Sequence, residues 1–347
     1  MIESMRKNVI RSFAQFFSFG GIYCMKYLLQ SLPIPISGVM LAFISLGNLL
    51  HSIDYHTVGH ISFFSGVVLF VLLIGKLVFA TQSVLTEMQN PIIASVSPTF
   101  TMGTLSLSSG LHYYGVSENM IQTLWILAAV TQFFIIFYFV KNFIWKNNIT
   151  VSNVFPSWLI LFVGTAVMPL TAGSLSGKFT QGILIFAFCA FLIIAPIVIL
   201  RGFIRKDLPE PTIPMVTILT APASLILVAY FEQFAIHSAI VLTLFVIAQL
   251  LFIVVLFKLT TALQLPFYPS YAAFTFPLVI TATATNTVIH YLEAQNISSQ
   301  WFNAYFIVQL LFASSIVIYV TVRYISYLSV QVQAKRRQAL QKEQTIS

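Results

Sequence analysis

The stretch YPSYAAFTFPLVITATATNTV, residues 268–288, decides how this chain is read. It is apolar and long enough to cross a membrane, for which about 20 residues suffice. Yet Pro277 stands in its middle. Proline in a helix interior removes one hydrogen bond and crowds the carbonyl four residues back, here that of Ala273. A carbonyl freed in lipid has no partner, so the break must face protein or water. Phe274 and Phe276 precede the proline, and threonines follow at 281, 283, 285 and 287. In helical register Phe276, Thr283 and Thr287 share one face, one ring followed by hydroxyls. Such a helix reads as the wall of a passage; register alone leaves Phe276 either a ring that fills core volume or a plug in that passage.

The rest of the chain supplies the membrane. Of 347 residues, 58% are hydrophobic and 7% charged, whereas a soluble domain carries about 25% charged residues. Apolar runs fall at roughly 33–51, 58–79, 92–113, 119–140, 155–174, 181–201, 213–231, 236–257, 268–291 and 301–323. The expectation is an all-α polytopic membrane protein with ten transmembrane helices. Their short connections make five helical hairpins within a domain spanning 31–325. Residues 8–30 could add a span, but Arg11, Lys26 and Gly20-Gly21 favour an interfacial helix, so 1–30 reads as a cytoplasmic or interfacial segment. Residues 326–347 form a basic tail whose Lys335-Arg336-Arg337 reads as solvated or lipid-facing. Cys24 and Cys189 are expected to be free thiols, and no cleaved leader is expected.

Sixteen of the seventeen lysines and arginines fall on one side if both termini are cytoplasmic, leaving only Lys178 outside. That bias orients the chain in a cell membrane. It also accounts for the net charge of +8 without nucleic acid.

The spans are of two kinds. Thirteen of fourteen prolines lie in odd spans or just ahead of them, with breaks expected at Ser97-Pro98, Pro169, Pro222 and Pro277; only Pro196 belongs to an even span. Spans four, eight and ten contain neither glycine nor proline, as in LTLFVIAQLLFIVVLF (242–257). Broken, hydroxyl-bearing helices belong inside around a cavity, and smooth greasy ones outside. Ser37, Thr165 and Thr220, each near the break of its span, join Thr283 and Thr287 as candidate pore-lining residues.

All nine acidic residues sit at predicted span ends or in loops, so the intramembrane carboxylates that many pumps use are missing. A passage of hydroxyls, backbone and half-helix ends without fixed negative charge suits an anion. Lys76 is expected to snorkel to the cytoplasmic interface. GSLSGKFT (173–180) has three residues between its glycines and phenylalanine after the lysine, so it is a turn rather than a phosphate loop. All six histidines fall on the outer side, three of them in HSIDYHTVGH (51–60). Their spacing matches no standard metal site, though it could serve an external pH sensor. No nucleophile and base stand together, and no cofactor motif is present, so catalysis is not expected.

The segments PISGVMLAFISLGNLL, PTFTMGTLSLSSG, FPSWLILFVGTAVMPLTAG, PTIPMVTILTAPASL and FYPSYAAFTFPLVITATA occur in order, one per odd span. Together they resemble the tellurite-resistance/C4-dicarboxylate transporter (TDT) family, which includes bacterial TehA proteins, fungal malate permeases and plant slow anion channels. The resemblance covers about 30–325. It implies five hairpins, a central pore of inner helices, a homotrimer with one pore per subunit, and a pore phenylalanine on the ninth helix. In AAFTFP that position is Phe276; Phe274, about 200° round a helix, packs elsewhere. Ser37 stands where a bacterial TehA has phenylalanine, and Leu161 where some members have proline. The implied function is a channel or facilitative transporter for small inorganic or organic anions. The alternatives are a substrate-specific exporter of C4-dicarboxylate, sulfite or tellurite, and a membrane scaffold whose tail recruits a partner.

The charge distribution generates a topology test. Cysteines placed singly at 54, 118, 234 and 295 in a cysteine-free background react with an impermeant thiol reagent added outside, and those at 87, 147, 207 and 340 do not. Inverted labelling contradicts the orientation; labelling of both ends of one hairpin contradicts the span assignment.

Overall fold

The computed structural model describes residues 21–146 and 150–346, so most of the expected interfacial segment, 8–20, lies outside the described residues. Among the described residues every regular element is helical. The chain begins with α1 (Gly21–Ser31), which buries Leu28 and Leu29. Eight helices among the described residues are long and apolar enough to cross a membrane. Burial divides them. In the segments Ile34–Ser52, Glu210–Gln233 and Pro269–Glu293, 83%, 94% and 83% of the most apolar stretch is buried. In His56–Phe79, Glu118–Ile144, Lys178–Arg205, Ser238–Ala262 and Gln300–Gln338 the share is only 28%, 28%, 44%, 33% and 39%. The first group therefore forms the interior. The second coats it, presenting side chains such as Phe134, Ile193, Leu250 and Leu311 outward. An apolar exterior of that extent is stable in lipid and not in water.

Two further interior segments are broken into pieces shorter than a span. One is α5 (Pro91–Val96) followed by α6 (Pro98–Gly110); the other is α8 (Trp158–Phe162), a 3₁₀ turn Val163–Ala166, and α9 (Val167–Leu170). Both are almost wholly buried. The remaining helices are α2 (Ser37–Ser52), α3 (His56–Phe79), α4 (Thr81–Glu87), α7 (Glu118–Phe139), α10 (Lys178–Ile199), α11 (Ala221–Gln233), α12 (Ser238–Ala262), α13 (Phe276–Glu293) and α14 (Gln300–Ile346).

The breaks work differently from a mid-helix kink. Pro98, Pro222 and Pro277 each sit in the first turn of the α-helix that follows the break. There the missing N–H costs nothing, because first-turn donors have no partner within the helix. Ahead of α11 and α13 the chain is wound as 3₁₀ helix, over Glu210–Thr220 and Pro269–Phe274, and a single 3₁₀ turn, Ile34–Ile36, precedes α2. Pro277 thus starts a helix instead of interrupting one, and the true discontinuity is Thr275, with φ −90° and ψ −80°. Pro169 lies within the single turn of α9, and Pro196 is the proline inside a long α-helix, α10.

At the end of the molecule where the basic residues gather, side chains of outer helices reach the chain leading into inner ones. Lys76 on α3 is 1% exposed, donates to the Leu32 carbonyl and pairs with Glu87. Glu87 also accepts from the Ile34 N–H at 2.9 Å. Arg201 donates to the Val154 carbonyl at 2.7 Å and to Asp207 at 3.0 Å. Tyr138 donates to the Met88 carbonyl at 3.1 Å, and Tyr324 to that of Pro269. The expected snorkelling of Lys76 is therefore corrected: its ammonium is folded inward and tied to backbone.

Removing one partner of a buried ion pair leaves the other charge uncompensated, at a cost of about 3–5 kcal/mol. Glu87→Ala is expected to destabilise the detergent-solubilised protein by that order, read by thermal or denaturant unfolding. Lys76→Met combined with Glu87→Leu recovers most of the loss. Equal stability of Glu87→Ala and the parent protein contradicts the clamp.

Candidate functional site

Each break is sealed by a hydroxyl. Ser37, Ser97, Thr165, Thr220 and Thr275 stand at or within two residues of the five junctions, and each donates to the carbonyl three residues back. The acceptors are Ile34 at 2.7 Å, Ala94 at 2.9 Å, Phe162 at 2.7 Å, Thr217 at 3.1 Å and Ala272 at 2.7 Å. A change of winding, or at Ser97 an interruption between two α-helices, leaves carbonyls without a regular partner, and a short side-chain hydroxyl is the nearest donor. This is why small hydroxylated residues collect in these segments.

Polar contacts then join the five segments in a closed circuit. Ser37 Oγ lies 2.6 Å from Thr99 Oγ1, and Ser95 Oγ donates to Ser157 Oγ at 2.7 Å. Gln233 Nε2 donates to the Pro169 carbonyl at 2.7 Å. Thr281 Oγ1 reaches the Thr220 carbonyl at 3.3 Å, and Thr275 Oγ1 the Gly38 carbonyl at 3.2 Å.

Inside the circuit is a cavity of about 40 Å³. Its wall comes from the five broken segments alone: Pro35 and Gly38; Val96, Thr99 and Met102; Leu159, Ile160, Val163 and Gly164; Met215, Ile218, Ala221, Pro222 and Leu225; and Ser270, Ala272, Ala273, Phe276 and Pro277. No ionisable side chain lines it. Its two hydroxyls are engaged elsewhere, Thr99 with the Val96 carbonyl at 2.8 Å and Ser270 with that of Pro211 at 2.6 Å. The space has room for a few water molecules, about 10–15 Å³ being needed for each probe-sized site.

The expected site residues are placed unequally. Phe276 is on the cavity wall beside Pro277 and Pro222. Phe274 is fully buried elsewhere, its ring centroid 4.8 Å from that of Tyr271. Ser37, Thr165 and Thr220 do not line the cavity: they are 0% exposed, turned to backbone carbonyls, and the wall beside them is made by Gly38, Gly164 and Ala221. Thr283 and Thr287 are also outside the cavity, bonded to the Val279 and Thr283 carbonyls at 3.0 Å each. They are half-exposed on a helix that is otherwise buried from Phe276 to Ile289. Pro98 and Pro169 are buried outside the wall, whereas Pro222 and Pro277 form part of it.

His51, His56 and His60 form a separate cluster with Tyr113 and Tyr114. The His51 ring stacks 4.0 Å from that of Tyr113, and His60 Nδ1 lies 2.9 Å from the Tyr114 hydroxyl. Tyr113 also reaches His56 Nδ1 at 3.0 Å. Burial raises the Tyr114 phenol above its usual range, with Tyr113 adding to the shift.

Several structural residues carried little sequence signal. Gln249, Thr285, Gln309 and Tyr305 make one network across α12, α13 and α14, including Thr285 Oγ1 to Gln309 Oε1 at 2.6 Å and Tyr305 to Gln249 at 2.7 Å. Two glutamines in greasy helices were its only trace, since an unpaired amide in lipid is costly and must find a partner.

A family model described as voltage-dependent anion channel matches residues 31–325. An uncharacterized transporter of Methanocaldococcus jannaschii is 27% identical over 237 residues, covering 60% of this chain and 67% of that protein.

Proposed function

The chain belongs to the voltage-dependent anion channel family, and we propose that it passes anions across a membrane through the cavity between its five broken segments. It is a membrane transport protein rather than an enzyme. One observation carries this reading: the cavity wall is drawn from all five broken segments and from no smooth helix, and it contains no ionisable group. Pro91–Gly110 and Trp158–Leu170 then count as two further crossings, bringing the eight long helices to ten. The crossings pair as five hairpins, one broken and one smooth helix each, with both termini and the clamps of Lys76 and Arg201 on the cytoplasmic side of a cell membrane. The family resemblance favours a homotrimer.

Phe276 is the plug. An apolar constriction excludes ions by failing to hold water, and the Phe276 ring is the one aromatic side chain on a wall without ionisable groups. Thr283 and Thr287 stand outside the cavity, two and three turns further along the same helix, and continue the path toward the histidine side. Backbone dipoles attract an anion without holding it tightly, which permits exit.

Phe276→Ala and Phe274→Ala separate a plug from a packing ring. Truncating a core phenylalanine costs about 3–5 kcal/mol, and Phe274→Ala is expected to lose stability of that order with no gain in flux. Phe276→Ala loses less and raises chloride current in reconstituted bilayers many-fold. Saturable tracer uptake without current identifies a carrier instead of a channel. A Phe276→Ala protein that is unstable and no more conductive than its parent removes the plug from the account.

A further inference from the structure

Met102 and Gly164 meet on the cavity wall, Met102 from α6 and Gly164 from the 3₁₀ turn Val163–Ala166. A Cβ placed on Gly164 falls 2.7 Å from Met102 Sδ, 3.2 Å from its Cε and 3.7 Å from its Cγ. All three nearest atoms belong to that one side chain. Backbone conformation does not demand glycine here, because Gly164 has no positive φ. What its missing side chain provides is a notch, and the Met102 thioether lies in it, leaving the residue 3% exposed. Methionine is unbranched and has three rotatable bonds, so it can leave such a notch without moving backbone. Both residues line the cavity, so that space adjoins the thioether.

We propose that Met102 is a second, movable element of the constriction, a thioether that is parked over Gly164 and swings into the passage. Parked, it stays clear of the apolar stretch beside Phe276. Swung inward, it narrows that stretch and raises the dehydration demanded of a passing anion. Met102 therefore tunes selectivity among anions: a narrower dry segment penalises strongly hydrated chloride more than weakly hydrated iodide. Gly164 acts through Met102 as a positioning residue. The inference rests on the reading of the cavity as the passage.

The test is a double-mutant cycle, which isolates a pairwise effect when each change removes only that contact. It is performed on full-length protein in liposomes, with Phe276→Ala as the conducting background and chloride and iodide as probes. Gly164→Ala displaces the thioether and is expected to lower chloride flux several-fold while raising the iodide-to-chloride ratio. Met102→Ala raises chloride flux and lowers that ratio. Adding Gly164→Ala to Met102→Ala changes neither. Met102→Cys gives a readout independent of how Gly164→Ala folds: a small water-soluble thiol reagent should block its flux. Equal effects of Gly164→Ala with and without Met102, or a Met102→Cys protein that the reagent leaves conducting, overturn the inference while Phe276→Ala still conducts. If Phe276→Ala itself conducts no better than its parent, the passage reading falls and the Met102 gate with it.

Discussion

A peptide carbonyl without a partner is the constraint on which this structure turns. Four interior segments change between 3₁₀ and α winding and a fifth is interrupted at Ser97, and each break frees carbonyls in a place where lipid can offer no donor. Ser37, Ser97, Thr165, Thr220 and Thr275 answer it in the same way, by bonding three residues back. Because the breaks are satisfied by these side chains, they survive as fixed shape. That shape keeps five backbones apart at one level and leaves the cavity between them. These five hydroxyls therefore build the site without lining it, and the surface left for a passing ion is almost wholly apolar, with one phenylalanine ring and the two engaged hydroxyls of Thr99 and Ser270.

The outer helices complete the arrangement. They need no specific chemistry toward lipid, but their basic ends fix where the inner segments begin. Lys76 and Arg201 are 1% and 3% exposed, and each serves a backbone carbonyl and a carboxylate at once. A buried charge is tolerable only with such full pairing. The clamps hold the starts of the broken helices, so the height of each break is set from one end of the molecule. At the other end Gln233 and the histidine–tyrosine cluster tie neighbouring segments together. The breaks between them have little freedom to slide.

Much of this was legible in the sequence, for physical reasons that differ from residue to residue. The proline spacing separated interior from exterior helices because a freed carbonyl excludes lipid contact, and burial follows that division. Phe276 and Phe274 were separable by register, although they lie in different windings and the break at Thr275 is what parts them. The roles of Ser37, Thr165 and Thr220 were not legible. A hydroxyl near a break can face a lumen or turn back to its own helix, and one sequence does not distinguish the two. Lys76 was likewise ambiguous, since its partner Glu87 lies across a turn in the next segment. The notch at Gly164 had no trace at all, because a glycine in a membrane helix has many uses and the side chain filling this one comes from another segment.

The central claim is that the passage runs between the five broken segments, past residues that touch the cavity and behind residues that only seal the breaks. Flux block by a small, water-soluble thiol reagent tests it most directly, with single cysteines introduced into a cysteine-free, Phe276→Ala conducting background. Cysteine at Gly38, Ala221 or Ala273, all on the cavity wall, should react and stop the current. Cysteine at Ser37, Thr165 or Thr220, all 0% exposed, should leave it unchanged. Block from the second set and not the first contradicts the account.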